Sequence, residues 1–337
     1  MSGSIDHTTR LARGCVLCYE GAKMVLFVTG RCGRNCWYCP ISEKRRNGDV
    51  MYANDRVVAS PADILDEAEM MSARGSSITG GEPFLVLDEV VHACRLLKEH
   101  FGPDHHIHLY TGIAPSEEQL RPLIGCVDEI RLHPPQEEWG QILDTPFAES
   151  VQTARRLGFS VGFEVPSLPG IEALGAILPD LDFLNINELE WSETNAAAMR
   201  SRELDLEDGL HNAVGGAAEW AAPLLSDERV HLCTSSFKDS VQLRERLKRI
   251  AHNTARPFDE VTDDGTIIYG LLELEDGALP PVLEAGRREG IYDLEVVGNQ
   301  VEMAWWVLAD LRDDLPGRKS VIERYPNGGI ILEVTPL

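Results

Sequence analysis

The chain has 337 residues, of which 43% are hydrophobic, and its 55 acidic against 31 basic side chains give a formal charge of −24. That apolar content suits one large domain and a smaller one, while a field so negative repels phosphate backbones and leaves no strong nucleic-acid signal. No apolar run of about 18 residues appears and the opening MSGSIDHTTRLARG lacks a signal-peptide core, so a soluble cytoplasmic protein without a membrane helix is expected.

Residues 1–23 form an N-terminal extension that carries Cys15-x2-Cys18. MVLFVTG (24–30) follows as a buried strand closed by Gly30, and residues 31–55 are polar and irregular. Ser60-Pro61 opens a helix that stops at Gly75. Strands are then expected at 76–81, 106–112, 129–133, 160–166, 183–189 and 229–233. Helices are expected between and after them at 87–101, from Ser116, at 147–158, near 171–180, at 208–222 and at 240–251.

This alternation predicts an α/β fold, a partial (β/α) barrel of about six or seven units over residues 24–255, with ligand chemistry at the C-terminal strand ends. From residue 256 to 337 the pattern changes to an α+β accessory domain. It reads strand 265–274, helix 278–288, strand 291–297, helix 300–312, and strands 318–324 and 329–335 joined at Asn327-Gly328-Gly329.

Five of the eight cysteines fall between residues 15 and 39. Without a secretion signal such crowding reads as a metal site, not a disulfide framework. Cys32-x3-Cys36-x2-Cys39 follows the first strand directly. Three thiolates on a four-iron cube leave one iron without a protein ligand, and an open metal position suits catalysis.

The segment CGRNCWYCP, with Tyr38 before the third cysteine, resembles the signature of the radical S-adenosylmethionine (SAM) superfamily. Thr79-Gly80-Gly81-Glu82-Pro83, one strand later, is similar to that superfamily's GGEP motif. The resemblance implies a [4Fe–4S] cluster on Cys32, Cys36 and Cys39, with SAM on its open iron. It further implies cleavage of SAM to a 5′-deoxyadenosyl radical that takes hydrogen from a substrate. The GGEP glycines let backbone approach a ligand, and Glu82 offers an anion to the methionine ammonium group. Glu164 in GFEVP resembles the fifth-strand segment near adenine and ribose. Asn185 and Asn187 share one face of the next strand.

The stretch from Gly14 to Ser42 also resembles an uncharacterised archaeal family related to pyruvate formate-lyase activating enzymes. That implies a glycyl-radical activase as one reading and an unspecified peptide, RNA or metabolite modification as another. A small electron donor of flavodoxin or ferredoxin type is expected with either. Cys15 and Cys18 are read as a second metal site, a substrate-facing pair or a structural pair. Grouped with Cys36 and Cys39 they would instead suit zinc in a non-catalytic binding module. His106, His108 and Tyr110 share a face, as do Arg131 and His133. Lys238 follows the last strand, and Glu245 is spaced to pair with Arg249. Cys94 reads as core, and Cys126 as core or site.

Overall fold

A computed structural model describes residues 10–276, 278–279, 283–284, 290 and 292–337. They fall into two compact units, one of Met1–Glu69 with Ala73–Gln242 and one of Met70–Ser72 with Leu243–Leu337.

The strands of the first unit are β1 (Lys23–Phe27), β2 (Tyr52–Ala53), β3 (Arg56–Val57), β4 (Gly75–Thr79), β5 (His106–Thr111), β6 (Glu129–Leu132), β7 (Ser160–Pro166), β8 (Phe183–Asn187) and β9 (Val230–Cys233). They form one sheet in the order β3-β2-β1-β4-β5-β6-β7-β8-β9. From β1 and β4 through β9 every pairing is parallel, which gives the expected α/β core of seven βα strands. Helix α1 (Arg13–Tyr19) precedes them, and between them lie α2 (Pro61–Met70), α3 (Leu87–Phe101), α4 (Glu117–Leu120) and α5 (Pro146–Arg156).

Strand alternation divides the side chains into two sets. Met24, Leu26, Ile78, Ile107, Leu109 and Ile130 are fully buried on the outward face. Each contributes roughly 1.5–3 kcal/mol relative to exposure. The intervening residues face the opposite way, and they build the site described below. Helix starts follow local chemistry. Ser116 makes a capping box with Gln119 ahead of Glu117 and Glu118. The Asp63 carboxylate accepts from the Ser60 amide at 2.7 Å and the Ser60 hydroxyl at 3.0 Å.

Several expected elements differ. The polar 31–55 stretch ends in a hairpin, β2 to β3, turned at Asn54-Asp55, where Asn54 takes a φ of 50°. Its side chain holds the turn down, accepting from the Val25 amide at 3.0 Å and donating to Glu67 at 2.8 Å. The 171–180 helix is two 3-10 pieces, Ile171–Ala176 and Leu178–Asp180. Of the 208–222 helix only Ala217–Ala221 is α-helical, followed by the 3-10 turn Ala222–Leu224. Asp208 draws the preceding chain into a turn by accepting from the Leu210 and His211 amides, both at 2.7 Å, and Gly216 is left-handed.

The second unit holds β10 (Glu260–Val261), β11 (Ile267–Glu273), β12 (Leu294–Val297), β13 (Gln300–Met303), β14 (Arg318–Arg324) and β15 (Ile331–Pro336). The order is β12-β13-β11-β14-β15, with β10 on β11, and all pairings are antiparallel. Two small cores support it, one around Leu272, Val301, Met303 and Leu308, the other around Phe258, Tyr269, Ala304 and Ile322.

The expected helix 300–312 is a strand, β13, and then a short helix, Trp305–Asp310. Gly298-Asn299 turns β12 into β13, with Gly298 at a φ of 62°. The expected helix 278–288 lies largely outside the described residues. Helix α6 (Arg244–Thr254) follows a π-helical stretch, Lys238–Leu243. Glu245 pairs with Arg244 and Lys248, while Arg249 donates to the carbonyls of Met71 and Ser72 instead of pairing with Glu245.

Candidate functional site

The inward faces of the parallel strands enclose a cavity of about 710 Å³. Lys23 and Val25 of β1, Ser77 and Thr79 of β4, and Tyr110 of β5 line it. So do Arg131 of β6, Glu164 of β7, Asn185 and Asn187 of β8, and His231 and Cys233 of β9. The period-two spacing places these polar groups together on one face while their neighbours pack the core.

Cys32, Cys36 and Cys39 line the same cavity from the loop after β1, and none is in a disulfide. The loop is held from several sides. Arg34 donates to the carbonyls of Gly112 at 2.9 Å and His133 at 2.6 Å, which ties it to the ends of β5 and β6. The carbonyl of Tyr38 accepts from Asn195 at 3.1 Å, and that of Cys39 from Thr194 at 3.1 Å and Arg46 at 3.4 Å. The Arg34 amide donates to the Cys32 sulfur at 3.4 Å.

Tyr38 is fixed through its ring hydroxyl. The Glu164 carbonyl can only accept, so His133 donates to it from Nδ1 at 2.8 Å. Nε2 of His133 therefore accepts from the Tyr38 hydroxyl at 2.9 Å. Burial, reinforced by Arg34, pushes the His133 pKa down to about 4, so this neutral tautomer holds at pH 7. Replacing Tyr38 by Phe should lower unfolding stability by about 1 kcal/mol in urea titration, because a buried ring nitrogen loses its partner.

The donor chemistry fits an iron–sulfur cube better than a single ion. Among the described residues no three His, Cys, Asp or Glu side chains converge as they would around one metal ion. A cube takes one thiolate at each of several corners, so it suits three separated thiols on one loop. The four-cysteine zinc arrangement is not formed. Cys15 lies in α1, where its sulfur accepts from Asn185 at 3.2 Å and Arg131 at 3.6 Å. Cys15 and Cys18 both line the cavity, and no third ligand completes a group with them among the described residues.

The glycines of TGGEP permit close chain approach. A Cβ on Gly81 would sit 2.2 Å from the Arg31 carbonyl oxygen, and one on Gly80 would sit 2.5 Å from that of Thr29. The Gly81 and Glu82 amides donate to the same two carbonyls, at 2.7 and 2.8 Å. Thr79, Gly80, Gly81 and Pro83 line the cavity. The Glu82 carboxylate turns toward β5. There it accepts from Thr111 at 2.8 Å and from the amides of Gly112 at 2.8 Å and Phe84 at 3.1 Å. With these three hydrogen bonds it braces β4 against β5.

Glu164 anchors the floor. It accepts from Asn187 at 2.9 Å, Asn185 at 3.2 Å and Arg131 at 2.5 Å, and Arg131 also pairs with Glu129 at 2.5 Å. Burial alone would raise the Glu164 pKa, but Arg131 and Asn187 outweigh it and hold it at about 2. Of the third-strand candidates, Tyr110 reaches the cavity, while His106 pairs with Glu129 and His108 is buried beneath it. Cys94 is core, and Cys126 packs against it, its thiol donating to the Leu123 carbonyl at 3.3 Å. Lys238 lines the cavity, paired with Glu190 at 2.8 Å. Arg34, Thr194 and Asn195 carried no sequence signal. They act on backbone carbonyls, and no residue spacing announces such contacts.

A cysteine loop held above an α/β cavity, beside a glycine-lined strand end, defines a class of enzyme, and the comparisons agree. Residues 26–134 match the radical SAM superfamily, and residues 265–337 match a domain of unknown function (DUF8061). A protein of Methanocaldococcus jannaschii with the provisional name of a glycyl-radical enzyme activating enzyme is 33% identical, over 98% of this chain and 94% of its own length. The chain belongs to the radical SAM superfamily and is an enzyme of that type, a family that uses a [4Fe–4S] cluster and SAM. Two solved structures are more distant. Methylornithine synthase is 10% identical at a TM-score of 0.41, covering 67% of this chain and 73% of its own. A radical SAM methyltransferase of Kitasatospora setae, with cobalamin and a [4Fe–4S] cluster bound, is 17% identical at a TM-score of 0.33, covering 57% of this chain and 38% of its own.

Proposed function

We propose that this enzyme reductively cleaves SAM and directs hydrogen abstraction at a substrate held deeper in the same cavity. Cys32, Cys36 and Cys39 would carry the cluster, which when bound supplies the electron for cleavage. The observation that carries the reading is that these three thiols and the wall of Thr79, Gly80, Gly81 and Pro83 open onto one cavity, which Glu164 and Asn187 also line. In this reading Tyr38, pinned by His133, sets the shape of the cluster loop. The glycine wall admits the methionine end of SAM, and Glu164 and Asn187 lie toward its adenosine end. The strands on several sides of the cavity limit the approach of bulk water to a reactive radical.

We further infer a cytoplasmic setting, a flavodoxin- or ferredoxin-type donor, and a three-part chain of extension (1–23), core (24–255) and accessory domain (256–337). Among the described residues no helix is long and apolar enough to cross a membrane. The substrate remains a peptide, an RNA or a metabolite. A glycyl-radical partner protein is the second reading, favoured by the name of the archaeal relative, which aligns nearly end to end. The test is anaerobic incubation of reconstituted enzyme with SAM and dithionite, alone and with cell extract grown in deuterated medium. The proposal expects 5′-deoxyadenosine in both and deuterium within it in the second. Deuterium arriving from protein alone would select the activase reading, and absence of 5′-deoxyadenosine would overturn both.

A further inference from the structure

The accessory sheet ends on an open edge. β15 follows β14 through the turn at Asn327-Gly328-Gly329 and is the last strand of the order β12-β13-β11-β14-β15, with no described strand on its far side. Val334 stands opposite Ile322, which is 2% exposed and belongs to the core of Phe258, Tyr269 and Ala304. Strand alternation puts Leu332 and Pro336 on that same core-side face. Yet Leu332 is 47% exposed and Val334 50%, and Ile331 on the other face is 53% exposed. The apolar face of the sheet runs one strand farther than the described residues that cover it.

The backbone is unused in the same direction. The Leu337 amide donates to the Lys319 carbonyl at 3.1 Å. Successive amides of an antiparallel strand point to opposite sides. In the register that pairs Thr335 with Val321 and Glu333 with Glu323, residues 333, 335 and 337 therefore bond toward β14. The amides of Leu332 and Val334 point outward. Pro336, next in that series, has no amide to leave unbonded, which is how proline is tolerated on a sheet edge.

Charge decides what can dock there. The hairpin 318–337 carries three basic and two acidic side chains, whereas residues 256–317 carry four basic and 15 acidic, in a chain of −24. A basic partner would be drawn to the acidic remainder and a nucleic acid would be repelled by it, so neither selects this hairpin. A second copy of this chain is also repelled by the remainder, and the hairpin is where that repulsion is least. The strand complements itself as well. A two-fold axis at Val334 sets Val334 against its counterpart, Glu333 against Thr335 of the second copy, and Leu332 against Pro336 of the second copy. No glutamate then lies directly opposite another.

We infer that the β15 edge is the interface of a homodimer, in which two copies pair antiparallel about Val334 and continue one sheet through both accessory domains. This stands apart from the reading of the cavity. A pair of six-residue strands is a small interface, so the dimer should be weak, with a dissociation constant in about the micromolar range. It should tighten as salt screens the net charge of both copies.

Sedimentation velocity of the anaerobically reconstituted chain, from well below to well above that concentration and in dilute and molar KCl, tests the inference. Wild type should pass from monomer to dimer as concentration rises, and earlier in molar KCl. Val334→Ile should behave as wild type. Val334→Pro removes an amide that β14 does not use, and Val334→Lys puts a charge on the apolar edge. Each should raise the dissociation constant about tenfold or more. Each should also melt within a few degrees of wild type when all are monomeric, because the side chain is half exposed. Should Val334→Pro melt far lower, Val334→Lys alone decides. A chain that is monomeric throughout would overturn the inference and leave the edge to an extended peptide or another protein. Dimers that form with wild-type affinity in the variants, or that loosen in molar KCl, would overturn it as well.

Discussion

Cys36→Ala is expected to eliminate SAM cleavage while leaving the protein folded. Cys36 is part of a loop whose position is set mainly by contacts that do not involve its sulfur. Arg34 reaches the carbonyls of Gly112 and His133, Tyr38 is held by His133, and Asn195 and Thr194 hold the carbonyls of Tyr38 and Cys39. The loop should therefore persist with two thiols. A cube with one fewer thiolate is poorly retained and exposed to loss of iron. The variant should show iron well below one cube per chain, no absorbance near 400 nm after reconstitution, and 5′-deoxyadenosine at the level of the no-enzyme control. Its melting temperature, measured on metal-free protein, should match that of metal-free wild type. Wild-type cleavage by Cys36→Ala would remove this residue from the site.

Arg131→Met should be the most destabilising single change in the core. Arg131 is 1% exposed and joins Glu129, Glu164, Tyr110 and Cys15. Removing one partner of a buried ion pair leaves the others charged and unpaired, which costs about 3–5 kcal/mol. The pH dependence should reverse as well. In the wild type, Glu164 is depressed to about 2 from an ordinary value of 4.5. Its contribution to stability is therefore complete above about pH 4.5 and lost as pH falls toward 2. Without Arg131, burial raises the Glu164 pKa above 4.5, so acid neutralises the carboxylate and relieves the variant as pH falls toward 4.5, above the window in which the wild type weakens. Urea titrations at pH 7, about pH 4.5 and about pH 3 test both. A loss under 1 kcal/mol at pH 7, or a variant weakened by acid as the wild type is, would contradict the network's assigned role.

The parallel core was legible because its signals are local and redundant. HIHLYTG and SVGFEVP each set apolar residues on one face against more polar ones on the other, and that second face supplies Tyr110 and Glu164 to the cavity wall, while MVLFVTG is a continuous apolar run. The thiol spacing and TGGEP were legible because backbone geometry restricts what can stand there, as the 2.2 Å approach at Gly81 makes plain. The orientation of Glu82 was not legible, because its motif says that a carboxylate is present but not which way it turns, and Thr111 and Gly112 decide that from β5 and its end. Gln300–Met303 was misread as helix because a two-residue Gly-Asn turn overrode the longer pattern. Lys23 gave no signal, since a lysine opening a strand ordinarily points to solvent. Here α1, whose Cys15, Cys18 and Tyr19 line the same cavity, lies beside it.

The central claim is that three thiols hold a cube whose remaining iron is open to SAM. Electron paramagnetic resonance of the anaerobically reconstituted, dithionite-reduced enzyme, with and without SAM, tests it most directly. The account predicts the signal of a reduced [4Fe–4S] cluster that changes in shape when SAM is added. Iron-free protein, or a cluster signal indifferent to SAM, would contradict it.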